Sequence, residues 1–262
     1  MRQLVVTVAE HEVELASDAL WGLGVVAVEE RVVGASVELW TSIGDDPVAA
    51  PDLPWPWRFV EVDERVADTW RKFAAPTLVE PGLVVCPAWV DYTPPLGTTV
   101  LRIEPGSTFG MGDHPTTRLT LSAARRWVGP GAAVLDVGCG SGVLAIGAML
   151  FGARRAVGID IAPAAVPVTI ANAVANGVHV DVSTTPLQEV VGEFDLVLAN
   201  ILAPALIDLA DDLRRVLAPG GVLVVSGILA DAHVHVLRAL APLEVLEVAT
   251  LGEWAAVSLR MP

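Results

Sequence analysis

Cysteine, basic residues and long apolar runs are all scarce in this chain of 262 residues. Its two cysteines, Cys86 and Cys139, stand far apart and form no C-x-x-C pair, which excludes a disulfide framework and a thiolate zinc site. The five histidines are scattered, and His233 and His235, two apart, would face opposite ways on a helix, so no metal is expected. Lys and Arg total 16 against 31 Asp and Glu, a formal charge of −15. The clustered cations that bind phosphate are therefore missing, and nucleic acid is not an expected direct partner. Such an excess of acid suits a basic partner, or serves solubility alone. Apolar runs are broken by Gly, Pro or charge before the roughly 20 residues that a membrane helix requires. The start, "MRQLVVTVAEHEVELAS", lacks the basic region, apolar centre and cleavage site of a secretory signal. The expectation is a cytoplasmic protein with no membrane partner. What the chain has in quantity is apolar content, 53% against 18% charged, enough for one large core or two smaller ones.

Local patterns divide the chain. "LVVTV" (Leu4 to Val8) reads as a strand, and "EHEVELASDALWGLG" places Val13, Ala16, Leu20 and Leu23 on one helical face that ends at glycines suited to a C-cap. "VVAVEERVVGASVELW" gives two β-branched runs around Gly34, as in an antiparallel pair. "GDDPVAAPDLPWPW" is a loop, and "RFVEVDE" a short alternating stretch. These features predict a small α+β, ferredoxin-like domain over residues 1–62. Residues 63–100, with several prolines and little periodicity, read as a linker in which Trp70 and Trp89 pack against a domain. Over residues 101–262 strands alternate with helices. Strands are expected at Ala133 to Val137, Ala156 to Asp160, His179 to Ser183, Asp195 to Ala199 and Val222 to Ser226. Helices are expected from Gly142, from Pro163, at Ala205 to Leu217 and at Ala232 to Leu240. Such alternation implies parallel strands covered on both faces. Pro167 costs little if it falls in the first turn of its helix, where amide donors are unpaired anyway. "LEVLEVATLGEWAAVSLRM" closes the chain as an antiparallel hairpin.

Gly138, Gly140 and Gly142 follow the first of these strands in "VLDVGCGSGVLAIGAMLFGARRAVGID". In an open α/β sheet, ligands sit beyond the carboxyl ends of the strands, where backbone must come close to them. Val143 occupies the place of the third glycine of a dinucleotide fingerprint, and "GSGVL" offers no P-loop lysine. An NAD-dependent oxidoreductase and a phosphate-binding enzyme both fit poorly. Asp136 and Asp160 instead place carboxylates at the ends of the first and second strands, where they could serve a ribose diol and a cationic ligand. Cys139 reads as a small residue tolerated in a tight turn. The combination resembles the class I methyltransferases that bind S-adenosyl-L-methionine, which implies a Rossmann-like α/β sheet with an antiparallel C-terminal hairpin.

"PGSTFGMGDHPTTRLTL", "LDVGCGSGVLAI", "VGIDIAPAAV", "FDLVLANILAPAL" and "PGGVLVVSGIL" narrow the likeness to the ribosomal protein L11 methyltransferase (PrmA) family. The resemblance covers the catalytic core closely, the "WRKF" to "VVCPAW" connector recognisably, and the first domain by position and element order. It implies a protein N-methyltransferase whose first domain docks the basic ribosomal protein, and whose core methylates lysine side chains and the N-terminal α-amine. Carried over by motif, Thr117, Gly138, Asp160 and Asn200 fall on cofactor-contacting positions, with Asp136 and Gly140 beside them in the glycine turn. Gly138 would present backbone to the methionine part, Asp160 would accept from ribose hydroxyls, and Thr117 would help close the pocket unless it merely caps a helix. Asn200 is the expected catalytic residue, its amide oxygen accepting a proton of the target amine and so orienting the nitrogen lone pair. The family loop reads F-G-T-G-T-H, whereas this chain has Met111 and Asp113 in the threonine positions. That departure leaves open another protein or a small amine as substrate, or cofactor binding without transfer.

Overall fold

Alternation in "RQLVVTV" sends Leu4, Val6 and Val8 to one side, and the segment forms strand β1 (Arg2–Val8). The computed structural model describes residues 2–21, 25, 28–34, 36–42, 53–61, 74–104 and 112–261. Contacts divide the chain into two units, Met1–Ala74 and Ala75–Pro262. In the first, β1 is followed by a 3-10 turn (Glu10–Glu12) and helix α1 (Val13–Trp21), then by β2 (Glu29–Val33), β3 (Ser36–Ser42) and β4 (Trp57–Glu61). Neighbouring strands are antiparallel in the order β2-β3-β1-β4, so the two strands with the most apolar faces lie inside. Ala16 and Leu20 of α1 close a core with Leu4, Val6, Val8, Val37 and Leu39. This is the expected α+β arrangement. The predicted cap around Leu23, and Trp70 of the linker, lie outside the described residues.

The stretch expected to be a linker is structured where it is described. Strands β5 (Thr77–Glu80) and β6 (Leu83–Pro87) form a hairpin, and β6 pairs in parallel with β7 (Thr99–Ile103), all within the second unit. The physical reason is the run "LVVCP": every one of its residues is buried, as befits a strand covered on both faces. Trp89 is half-buried, in keeping with a packing role.

The main sheet holds β8 (Ala133–Val137), β9 (Arg155–Ile159), β10 (Asp181–Ser183), β11 (Phe194–Asn200), β12 (Leu217–Leu229), β13 (Glu244–Leu251) and β14 (Trp254–Arg260). Its order is β10-β9-β8-β11-β12-β14-β13. Helices α2 (Pro115–Trp127), α3 (Val143–Leu150), α4 (Ala165–Ala175), α5 (Ala203–Asp208), α6 (Ala210–Arg215) and α7 (Val234–Ala239) connect or cover the strands. Side-chain alternation builds two cores. Val134, Leu196, Leu198, Val222 and Val224 face Leu121 of α2 and Leu144 of α3. Leu135, Val197, Ala199, Leu223 and Val225 face Leu206, Leu213 and Val236 on the opposite side. Fully buried leucines such as Leu121, Leu135, Leu196 and Leu198 each contribute about 1.5–3 kcal/mol of transfer free energy.

One expectation needs correction. The single helix over Ala205 to Leu217 is two short helices, because Leu209 adopts ψ near 5° and turns the chain so that Leu206 and Leu213 both reach the core. The C-terminal hairpin adds two antiparallel strands to the sheet as expected, with β14 between β12 and β13. Its interior, Ala255 to Leu259, is continuously buried, whereas β13 carries Glu244, Glu247 and Thr250 and suits an edge. Pro167 does fall in the first turn of α4.

Candidate active site

The topological switch lies at β8, from which the chain crosses to β9 on one side and later to β11 on the other. Gly138 leaves β8 with φ +73°. A Cβ on Gly138 would stand 2.4 Å from Cγ2 of Ile201, so only glycine lets the turn meet the end of β11. The amides of Gly138 and Cys139 donate to the carbonyl of Ile159 at 2.8 and 3.1 Å, which leaves the carbonyl as the polar group Gly138 can offer a ligand. Gly140 donates its amide to Asp160 Oδ2 at 2.8 Å. Cys139 packs its sulfur towards Gly158 and lies 3.7 Å from Thr169 Oγ1. Burial, then the charge of Asp136, pushes its thiol far above the ordinary range, so it is no nucleophile.

The two carboxylates differ. Asp160 follows β9, half-buried, with Oδ2 on Gly140 and Oδ1 accepting from the amide of Ala162 at 2.9 Å. Each oxygen keeps a second lone pair for a hydroxyl. Beside it Ile161 is 97% exposed, an apolar side chain adjoining a hydroxyl acceptor. Asp136 is not at the strand mouth. It lies one residue inside β8 and is fully buried, because it shares the row of Val134 beneath α3, where Oδ2 accepts from the amide of Ala145 at 3.0 Å. Burial raises its carboxyl to about 7, against the pull of the Ala145 amide. Oδ1 has no hydrogen-bond partner among the described residues.

Asn200 ends β11 in the row of Leu196 and Leu198, the face that α2 covers. It is half-buried, and its side-chain amide makes no hydrogen bond among the described residues. Its neighbour across the ladder, Ser226, donates instead to the carbonyl of Ala255 at 2.8 Å. The next residue of β12, Gly227, has φ +82°, and a Cβ there would lie 2.3 Å from the carbonyl oxygen of Ile201. Ile201, the residue after Asn200, is thus packed closely against two glycines.

Helix α2 begins above this edge. Its N-cap is His114 rather than a threonine: Nδ1 accepts from the amide of Thr116 at 3.3 Å and lies 2.8 Å from Thr116 Oγ1. The His114 ring meets Trp254 edge-on, centroids 5.0 Å apart, and burial lowers its pKa despite the charge of Asp113. Thr117 is fully buried with Oγ1 unpartnered among the described residues, so capping does not account for it. Asp113 is exposed; Met111 lies outside the described residues.

Sequence reasoning missed Thr169 and Asn172 of α4 and its C-cap Asn176, which bond to the glycine turn and to the β7 segment. The available signal was Asn172, which with Thr169 interrupts an otherwise apolar helix, where a poor helix former requires a reason. Among the described residues no cluster able to hold a metal occurs, and no helix is long and apolar enough to cross a membrane. The polar groups left over at the edge include three acceptors, Asp160, the Gly138 carbonyl and the Asn200 amide oxygen, with the Thr117 hydroxyl buried in α2, and no Lys or Arg stands between residues 136 and 146. That set fits a cation bearing hydroxyls and not a phosphate.

The sequence profile of the family described as Ribosomal protein L11 methyltransferase (PrmA) matches residues 57–262. A ribosomal protein L11 methyltransferase from Geobacter metallireducens is 44% identical over 195 residues, covering 74% of this chain and 65% of the relative. One from Geobacter sulfurreducens is 41% identical over 239 residues, covering 90% of this chain and 77% of the relative. The chain therefore spans just under two thirds of the first relative's length and somewhat more of the second's. The crystal structure of a ribosomal protein L11 methylase from Lactobacillus delbrueckii subsp. bulgaricus superposes with TM-score 0.67 at 32% identity, over 71% of this chain and 97% of that one.

Proposed function

Since the chain belongs to the ribosomal protein L11 methyltransferase family, we propose that it is an S-adenosyl-L-methionine-dependent protein N-methyltransferase acting on lysine side chains and the N-terminal α-amine of ribosomal protein L11. The observation that carries the reading is the Asn200 amide, free of partners among the described residues and followed in the chain by Ile201, which packs against Gly138 and Gly227. When bound, the cofactor supplies a methyl group on a sulfonium, which the amine nitrogen takes by in-line displacement. This chain's residues position the two. Asp160 would hold the ribose hydroxyls, with Ile161 offering an apolar contact beside them. The Gly138 carbonyl would serve the cationic methionine part, and Thr117 would help close the pocket from α2.

The amine must be neutral to react. An unperturbed lysine has a pKa of about 10.4, so at pH 7 roughly one in a few thousand is neutral. A partly dry site holding a neighbouring cation lowers that pKa. Asn200 Oδ1 then accepts one amine hydrogen and aims the lone pair at the methyl carbon, while the released proton passes to solvent. Positioning supplies most of the rate, and no side chain need act as nucleophile.

Residues 1–62 hold 11 acids against 3 bases and suit a basic protein partner. Docking of the ribosomal protein is assigned to this domain, and the enzyme works in the cytoplasm without contacting nucleic acid directly. Purified L11 incubated with the enzyme and adenosylmethionine should gain mass in steps of one methyl group, and deleting the first unit should abolish that gain while cofactor uptake persists. Exposed Asp113 at the head of α2 favours one other reading, a small ammonium substrate. An active enzyme that leaves the mass of L11 unchanged would decide for it.

A further inference from the structure

Helix α4 carries buried polar side chains where a helix against a sheet normally carries apolar ones. Thr169, Asn172 and the C-cap residue Asn176, at i, i+3 and i+7, share one face, and Thr169 is fully buried while Asn172 is 2% exposed. Each has a different span. Thr169 Oγ1 donates to the carbonyl of Gly140 at 3.1 Å, in the glycine turn. Asn176 serves β7: Oδ1 accepts from the Arg102 amide at 2.8 Å and Nδ2 donates to the Arg102 carbonyl at 2.7 Å. Asn172 serves both places. Its Oδ1 accepts from the Glu104 amide at 2.9 Å, and its Nδ2 donates to the Glu104 and Ser141 carbonyls, each at 2.9 Å.

Arg102 and Glu104 are alternate residues, so their amides and carbonyls project from the same edge of β7, the other edge being paired with β6. The two asparagines thus replace a missing strand on that edge. From β7 the connection runs on to α2. Val85 of β6 lies so close to Gly112 that a Cβ there would be 2.4 Å from its Cγ1, and α2 starts three residues later at Pro115. A leucine at 172 would fill the space but forgo the three hydrogen bonds to Glu104 and Ser141.

We propose that Asn172 is a positioning residue: by holding Ser141 and Glu104 together it sets the cofactor turn in register with the β5–β7 sheet, and through Val85 and Gly112 with the head of α2 that carries Thr117. The inference rests on the cofactor reading above and deepens it, since it makes affinity for the cofactor and turnover depend on one side chain outside the pocket.

The test compares Asn172→Ala, Thr169→Val and Asn176→Ala in the full chain. The readouts are calorimetric affinity for S-adenosylhomocysteine, kcat and KM on L11, and Tm. Asn172→Ala should weaken adenosylhomocysteine about tenfold and, with cofactor saturating, still lower kcat about tenfold, because both ends of its bridge are lost. Thr169→Val should weaken the cofactor but restore kcat at saturation. Asn176→Ala should lower Tm as much as Asn172→Ala does, with affinity and kcat within about twofold of wild type. If Asn172→Ala does not fold, Asn172→Ser, too short to span both sites, should show the same paired loss. An Asn172 variant that loses Tm alone, or one indistinguishable from Asn176→Ala, overturns the proposal. Wild-type protein that takes up no adenosylhomocysteine overturns the cofactor reading and this inference with it, whereas normal wild-type uptake matched by Asn172→Ala overturns this inference alone.

Discussion

On the β8–β9 side of the sheet's carboxyl edge, backbone is answered by hydrogen bonds from side chains: Asp160 takes the Gly140 and Ala162 amides, Thr169 holds the Gly140 carbonyl, and Asn172 holds that of Ser141. On the β11–β12 side the same edge is fixed by shape. Ile201 is wedged between Gly138 and Gly227, Ser226 turns away to Ala255, and the Asn200 amide is left without a partner among the described residues. A hydrogen-bonded half makes a rigid receptor whose remaining acceptors are few and fixed. A half held by packing can keep a polar group unsatisfied at its centre, at a cost that substrate binding repays. The two halves are thus held by different forces, and in their proposed roles as receptor and reacting group they should fail differently.

Asn200→Ala is the sharpest break between them. It should lower kcat on L11 by roughly 10²–10³, the scale of losing one orienting group in a transition state, and leave adenosylhomocysteine affinity within about threefold. Asp160→Ala should do the reverse, weakening the cofactor more than it lowers kcat at saturation. Equal effects of the two on affinity and turnover would dissolve the division. Gly227→Ala tests the packed half without touching a polar group. At φ +82°, with Ile201 O 2.3 Å from the new Cβ, the ends of β11 and β12 must part, costing about 1–3 kcal/mol of stability. Misplacing Asn200 should reduce kcat by about ten- to a hundredfold. Unchanged kcat in a folded Gly227→Ala protein would mean that Ile201 does not govern Asn200.

Much of this division was legible in the sequence. The alternation of strands and helices beyond Leu101 and the glycine turn follow from periodicity and residue type, because each is a local pattern, whereas Asn200 was singled out by the family resemblance. What escaped depends on long-range partners. "LVVCP" looks like a connector until β7 is beside it, and nothing local says that β14 rather than β13 meets β12. Asp136 reads as a strand-end acid but lies beneath α3, since one residue of depth decides between solvent and core. The asparagines of α4 and its C-cap are visible only as a local anomaly, because their partners are 31 to 74 residues away.

Asp136 supplies a pH test of the hydrogen-bonded half. Its carboxyl rises from 3.8 to about 7, so the folded protein holds that proton more tightly than the unfolded chain does. The stabilisation is complete below about pH 4 and is lost as pH rises through about 7. Asp136→Asn cannot titrate, and its Tm relative to ligand-free wild type should climb by about 5 °C between pH 5 and 8. A flat difference would show the charge to be compensated, and the buried half to be less dry than its packing suggests.

The smallest effect is expected at Cys139, although it sits between Gly138 and Gly140 in the middle of the receptor. Its side chain faces Gly158 and Thr169, away from the ligand side of the turn, and burial keeps the thiol protonated. Cys139→Ala removes one buried sulfur, costing about 1 kcal/mol, and should change kcat and adenosylhomocysteine affinity by less than about twofold. In the native protein iodoacetamide at pH 8 should label it far more slowly than after unfolding. Fast native labelling, or lost turnover at unchanged Tm, would place the thiol on the ligand side, and the backbone of the turn could no longer be credited with holding the cofactor unaided.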